Sequence, residues 1–236
     1  MKLTEKQIKR ANTGMKPYYS HAGITIYHGD CRDVLPHLPK VDLCLTDPPY
    51  GMGLKCDYSG MSGFSGPNTG LKHLPIIGDD EPFDPTHLLK YGDKQIIWGA
   101  QYFCHSLPEQ GGWIVFNKRG DGAPSAISFG DCELAWCNFG QAVRMCSKMW
   151  HGVARWSSEG TLHPAQKPEY LLGFCIEHAS TPPDGIVLDP YCGSGTTLVA
   201  AKNLGRKAIG IEIEERYCEI AAKRLSQEVF DFDETA

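Results

Sequence analysis

Gly185-Ile186-Val187-Leu188-Asp189-Pro190-Tyr191-Cys192-Gly193-Ser194-Gly195-Thr196-Thr197 is the stretch whose reading decides the fold. Its opening apolar run has the length of a buried strand. Gly193 and Gly195 then let the backbone turn sharply and approach a ligand closely. Thr196 to Leu204 has helical spacing and stops at Gly205. A helix that starts at such a turn favours a negative group there. Lys207 to Ile211 reads as the next strand, and Glu214 to Leu225 as an amphipathic helix. Glu212, at the end of that strand, is placed to accept both hydroxyls of a ribose. The unit fits a nucleoside cofactor, either NAD or S-adenosylmethionine. The third glycine of the dinucleotide fingerprint is missing, with Leu198 where it would fall.

Upstream, the pattern repeats. Ile24 to Tyr27 reads as a strand ending at His28-Gly29-Asp30, and residues 31–38 allow one short helix. Val41 to Thr46 is a second apolar run. Pro85 to Lys90 suits a short helix. Gln95–Trp98, Gly112–Phe116, Cys132–Trp136 and Ala142–Met145 read as strands. Pro168 sits just ahead of a helix predicted from Glu169 to Ala179. Strands alternating with helices predict an α/β fold: a doubly wound, mostly parallel sheet with helices on both faces. Residues 1–23 read as a basic, helix-prone arm and a loop, 51–80 as a long glycine-rich loop, and 230–236 as a frayed acidic tail.

Val41-Asp42-Leu43-Cys44-Leu45-Thr46 runs into Asp47-Pro48-Pro49-Tyr50. An exocyclic amine of adenine or cytosine is a poor nucleophile, because its lone pair is delocalised into the ring. Two oxygen acceptors for its hydrogens favour a tetrahedral nitrogen and localise the pair. Asp47 and the Pro48 carbonyl can supply both. Pro48 and Pro49 fix φ and stiffen the turn. Tyr50 offers a face for a base drawn out of its stack. The bland alternative is an ordinary proline-rich turn after a strand. If the strands ending at Asp47 and Asp189 are neighbours where strand order reverses, both loops face one cleft.

These motifs resemble the amino-methyltransferases of DNA, the N6-adenine and N4-cytosine type, in their permuted β-group order. In that group a DPPY-type motif precedes a DPFxGSGTT cofactor motif, matched here by residues 47–50 and 189–197 with Tyr191 for Phe. The family's HPxQKP segment matches His163-Pro164-Ala165-Gln166-Lys167-Pro168, and its strand-end GD matches Gly29-Asp30. The resemblance spans residues 24–225. It implies the S-adenosylmethionine-dependent methyltransferase fold in circularly permuted motif order, in one domain over 1–236 with DNA-facing loops 51–80 and 140–162. It implies a catalytic group of Asp47, Pro48, Pro49 and Tyr50. Asp30 would contact the cofactor's adenine and Glu212 its ribose. Lys167, Asp189, Tyr191, Gly193, Gly195 and Thr196 would surround the rest. Asp at position 47, rather than Ser, favours adenine N6 over cytosine N4. No metal is implied. The partners expected are DNA, a second copy of the chain as a homodimer, and a cognate restriction nuclease acting separately.

Composition is consistent with this. At 236 residues, 42% hydrophobic and 22% charged, the chain suits one soluble globular domain. No apolar stretch is long enough to span a bilayer, and the charged start is no secretory signal, so a cytoplasmic location is expected. Ten cysteines show no CxxC pair and read as reduced thiols. Cys44, Cys132, Cys137 and Cys218 are expected to pack as small hydrophobes, and Cys192 to fill space rather than act as a nucleophile. Net charge is −5, but residues 1–20 are basic. So is 140–168, where Arg144, Lys148, Arg155 and Lys167 flank Trp150 and Trp156, a pattern that on these residues alone reads as a solvated charged face but is able to track a phosphate backbone. Trp98 and Trp113 are expected in the core. Rival readings are an NAD-dependent oxidoreductase, which leaves the diproline unexplained, and a catalytically dead nucleic-acid-binding module, which leaves intact motifs unexplained.

Overall fold

The structure is a computed structural model that describes residues 15–54, 75–119, 130–148, 150, 162–163 and 165–227. The described strands are β1 (Tyr19–His21), β2 (Ile24–His28), β3 (Leu43–Thr46), β4 (Lys94–Trp98), β5 (Gly112–Asn117), β6 (Cys132–Cys137), β7 (Arg144–Ser147), β8 (Ile186–Asp189) and β9 (Lys207–Glu212). They form one sheet in the order β1-β2-β9-β8-β3-β4-β6-β5-β7. The central strands β2, β9, β8, β3 and β4 are mutually parallel. β1 and β6 run against them, and β5 and β7 run with them. The expected mostly parallel sheet is therefore present.

Parallel strands buried on both faces read as near-continuous apolar runs, and these do, broken by a few buried polar residues such as Thr25, Thr46 and Gln95. Ile24, Ile26, Leu43, Leu45, Ile96, Trp98 and Val187 face one side. Tyr27, Cys44, Ile97, Leu188 and Ile209 face the other. The second side packs on α1 (Cys31–Val34), on α2 (Ala100–Phe103) and on 3-10 turns at Leu35–His37 and Pro85–His87. The first packs on α3 (Glu169–His178), α4 (Thr196–Asn203) and α5 (Glu215–Ser226). Each large aliphatic side chain buried this way contributes roughly 2 kcal/mol of transfer free energy.

Chain order runs from β8 outward to β9 on one side, and from β3 outward to β4 on the other. The direction of winding thus reverses between β8 and β3. Open α/β sheets bind ligands there, beyond the carboxyl ends of the strands. Asp47 follows β3 at that edge, and Asp189 ends β8.

The structure departs from expectation in short elements. Tyr19–His21, expected in a loop, is an edge strand closed onto β2 through Ala22 and Gly23, whose φ values are 47° and 81°. Positive φ at both turn residues matches the twist of a tight hairpin. α2 has four residues, too few to show a period. Cys132, expected to pack, is exposed, whereas Cys44, Cys137 and Cys218 are buried. Trp98 is fully buried and Trp113 half-buried. Most of the two loops expected to face DNA, residues 55–74, 149 and 151–161, lies outside the described residues. Among the described residues no helix is long and apolar enough to cross a membrane.

Candidate active site

β3 and β8 are paired through Leu43 with Val187 and Cys44 with Leu188. Their ends are fastened by side chains. Thr46 Oγ1 donates to Asp189 Oδ1 at 2.8 Å, and Thr197 Oγ1 donates to Asp189 Oδ2 at 2.5 Å. Tyr191 N donates to Oδ1 at 3.2 Å. Asp189 is 3% exposed, so it stands behind the glycine turn and ties β3, the turn and α4 together. Burial pushes its carboxyl up to about 6, with the hydroxyl donors Thr197 and Thr46 opposing. The two motif loops are neighbours, as the geometric condition required.

The glycine turn is shaped by packing as well as by dihedral angle. Gly195 has φ 81°, and a Cβ there would stand 2.7 Å from Ala221 Cβ on α5. Only glycine lets α4 start that close to α5. Glu212, 9% exposed, closes the turn from β9: its Oε2 accepts from Gly193 N and its Oε1 from Glu214 N, both at 2.8 Å. Burial raises its carboxyl against those backbone donors. Arg224 of α5 donates to Ser194 O at 2.7 Å and to Thr196 Oγ1 at 3.0 Å. Asp30 caps α1 by accepting from Arg32 N at 2.8 Å, and Gly29 N donates to Glu212 O at 2.9 Å. Asp30 and Glu212 therefore share the end of the β2–β9 pair. The Tyr191 phenol lies 3.0 Å from His87 Nε2, with its ring edge-on to Phe83. Cys192 is buried, and burial raises its thiol well above the usual range, which suits space filling.

At the Asp47 loop, Pro48 is buried and Asp47, Pro49 and Tyr50 are half-buried. The Tyr50 hydroxyl donates a short hydrogen bond to Asp47 Oδ1. Lys167 Nζ lies 2.6 Å from Asp47 Oδ2, 2.9 Å from the Tyr50 hydroxyl and 2.9 Å from Glu133 Oε2. Lys118 Nζ lies 2.9 Å from Glu133 Oε1. Burial raises Asp47, and the Lys167 ammonium opposes it. Burial also works to raise Glu133, but Lys167 and Lys118 outweigh it and hold the carboxyl at about 2. Asp47 and Glu133 likewise outweigh desolvation at Lys167, keeping it protonated. The Tyr50 ring stacks on the exposed Tyr102, centroids 5.1 Å apart at 24°. Gly99, with φ 75°, makes room for it, since a Cβ there would fall 2.0 Å from a Tyr50 ring carbon. Buried Asp79 organises the following backbone. Its Oδ1 accepts from Tyr50, Gly51 and Met52 N, at 3.0, 3.0 and 3.3 Å, and its Oδ2 from Leu54 N at 2.7 Å.

The segment 163–168 joins the two loops. His163 lies against Gly193 and edge-on to Tyr217, and Gln166 Oε1 accepts from Ser194 Oγ at 3.4 Å. The next residue, Lys167, expected beside a cofactor, sends its ammonium to Asp47. Asp79, Glu133, Lys118, Tyr102, His87 and Arg224 were not read from the sequence. None sits in a motif. Glu133 and Lys118 reach the site because antiparallel β6 starts at the edge where β5 ends.

A family model described as N6_N4_Mtase, DNA methylase, matches residues 113–223. The type II methyltransferase M2.LlaDCHI of Lactococcus lactis subsp. cremoris is 52% identical, over 90% of this chain and 93% of its own. The chain belongs to the N6/N4 amino-methyltransferase family of DNA methylases. Type II methyltransferase M.ScaI of Streptomyces caespitosus, 28% identical, covers 90% of this chain and 84% of its own. Among solved structures, the M1.HpyAVI–SAM complex aligns with a TM-score of 0.52 at 25% identity, over 86% of this methylase and 100% of that chain. PvuII DNA methyltransferase, cytosine-N4-specific, aligns at 0.60 over 91% and 90%; its 17% identity speaks to the fold alone.

Proposed function

We propose that this methylase transfers a methyl group from S-adenosylmethionine to the N6 amine of adenine in DNA. The observation that carries the reading is the Thr46–Asp189 hydrogen bond of 2.8 Å, which sets the Asp47 loop beside the glycine turn. The residues at the turn fit the cofactor. The Glu212 carboxylate accepts from backbone N–H groups, those of Gly193 and Glu214 among them, and with four lone-pair positions keeps acceptor capacity for a ribose hydroxyl. Asp30 beside it suits the adenine amine. Gly193, Gly195, Thr196 and Tyr191 line the turn, Asp189 holds it from behind, and Pro168 follows Lys167 at its far side. When bound, the cofactor supplies a methyl group already activated as a sulfonium.

The protein's own groups then act on the amine. Asp47 and the Pro48 carbonyl accept its two hydrogens and localise the nitrogen lone pair. Tyr50 stacks on the flipped base and offsets part of an unstacking cost of about a few kcal/mol. The desolvated Asp47 carboxylate, more basic than one in water, takes the proton released as the N–C bond forms. Positioning and fixed acceptors supply most of the acceleration. Loops 51–80 and 140–162 would meet the duplex, the second carrying basic and aromatic residues. Asp47 in place of Ser supports adenine over cytosine. The type II names of both relatives support a role in restriction–modification, with a cognate nuclease acting separately.

The test is nucleoside analysis by mass spectrometry of unmethylated DNA treated with the protein and S-adenosylmethionine. N6-methyl-2′-deoxyadenosine is expected. N4-methyl-2′-deoxycytidine as the product would overturn the choice of base, and no incorporation would overturn the activity.

A further inference from the structure

Four buried or half-buried charges form a chain across the back of the Asp47 loop: Lys118, Glu133, Lys167 and Asp47. The contacts are 2.9 Å from Lys118 Nζ to Glu133 Oε1, 2.9 Å from Lys167 Nζ to Glu133 Oε2, and 2.6 Å from Lys167 Nζ to Asp47 Oδ2. Lys167 is 8% exposed, so its ammonium depends on protein partners rather than water. It is shared between two carboxylates. Tyr50 takes the other Asp47 oxygen. As the structure stands, both Asp47 oxygens are already in use, yet methyl transfer requires one of them to receive an amine hydrogen.

We propose that Glu133 is a positioning residue: it holds Lys167 as a second counter-ion, so that Lys167 yields Asp47 to the incoming amine without being left unpaired. The inference rests on the proposed amine chemistry at Asp47. A lone ammonium buried against Asp47 would compete with the amine for the carboxylate. A second carboxylate on its far side lets it shift by a fraction of an ångström and stay neutralised. The structure builds that second partner from another element. β6 supplies Glu133, and Lys118 just beyond β5 orients it through the opposite oxygen. Among the described residues, the groups that face the pair come from every element packed against it. Asp47 is faced by Tyr50 on its own loop, Lys167 before α3, Glu133 on β6 and Asp189 at the end of β8. Glu133 is faced by Lys118 and Lys167.

A purely structural ion pair and a positioning one differ in the pH profile of methyl transfer. With Glu133→Gln, Lys167 is left to Asp47 alone and the nearby negative charge is gone, so Asp47 becomes harder to protonate. The acidic limb of kcat/KM for DNA should move to lower pH, and the plateau should fall by about tenfold because the amine now competes with Lys167. With Lys167→Met, Asp47 loses its cation and the acidic limb should move to higher pH. Lys118→Met disturbs only the outer contact. It frees Glu133 to hold Lys167 more firmly, and should move the limb slightly to higher pH. Glu133→Asp, which keeps the charge, should restore part of the plateau. Binding of S-adenosylmethionine within about twofold of wild type confirms folding of Glu133→Gln, Glu133→Asp and Lys118→Met, a cooperative urea transition confirms it for Lys167→Met, and Lys118→Met keeps the test open should Glu133→Gln not fold. Limbs that do not move in any variant, or that move the same way in Glu133→Gln and Lys167→Met, would overturn the inference. A wild-type protein that methylates no DNA would instead overturn the function on which it rests.

Discussion

Asp189→Asn isolates a buried charge that fastens two loops. Burial pushes the folded carboxyl up to about 6, from its ordinary 3.8. That difference of about 2 units corresponds to roughly 3 kcal/mol. The sign follows from proton binding. Between those pH values the folded chain binds more protons at this site than the unfolded chain, so wild-type stability falls as pH rises from about 4 to 6. Below 3.8 the cost is absent, and above 6 it is complete. Asparagine is nearly isosteric. Its Oδ1 can still accept from Thr46 and Tyr191 N, and its amide can donate to the Thr197 hydroxyl. The variant should match wild type within about 1 kcal/mol at pH 4.5 and become roughly 2–3 kcal/mol more stable than wild type by pH 7.5. Urea unfolding followed by tryptophan fluorescence at four pH values measures this. Asp47 and Glu212, which burial also raises, are present in both proteins and largely cancel in the difference. A stability difference that stays flat across that range would refute the burial and the fastening role together.

Gly195→Ala combines a φ of 81° with a Cβ 2.7 Å from Ala221 Cβ; it should cost about 3 kcal/mol in urea unfolding and weaken cofactor binding measured by calorimetry. Asp79→Ala leaves four N–H groups of residues 50–54 without their acceptor. Single-turnover transfer should fall more than about tenfold, while cofactor affinity stays within about twofold, because the glycine turn is untouched. Gly99→Ala drives a methyl group into the Tyr50 ring; transfer should drop by about tenfold or more, read in the same assay, with KM for DNA rising as the stacking face turns away.

What was legible in the sequence was whatever is local. Apolar runs followed by Asp-Pro and a helix start marked β3, β8 and their loops, because a strand and its outgoing turn are written in consecutive residues. Adjacency of those strands was only a condition at that level, since βα alternation does not fix strand order; the pairing of β3 with β8 meets it. His163 to Pro168 was legible as a motif, but not as the segment whose neighbouring side chains, Gln166 and Lys167, touch one loop each. Asp79, Glu133 and Tyr102 were invisible for a different reason. Each is an ordinary polar or aromatic residue outside any motif, brought to Asp47 or Tyr50 by strand topology rather than by sequence neighbourhood. The three-residue β1 and four-residue α2 were missed because a period needs more residues than they have.

The most direct measurement compares wild type with Asp47→Ala in two readouts on the same samples: dissociation of S-adenosylmethionine and transfer of its labelled methyl group to DNA. Cofactor binding unchanged within about twofold, with transfer lost, is the predicted result, since in the proposed reaction residue 47 faces the amine while Glu212 and the glycine turn hold the donor. Transfer that persists in the variant would contradict the account.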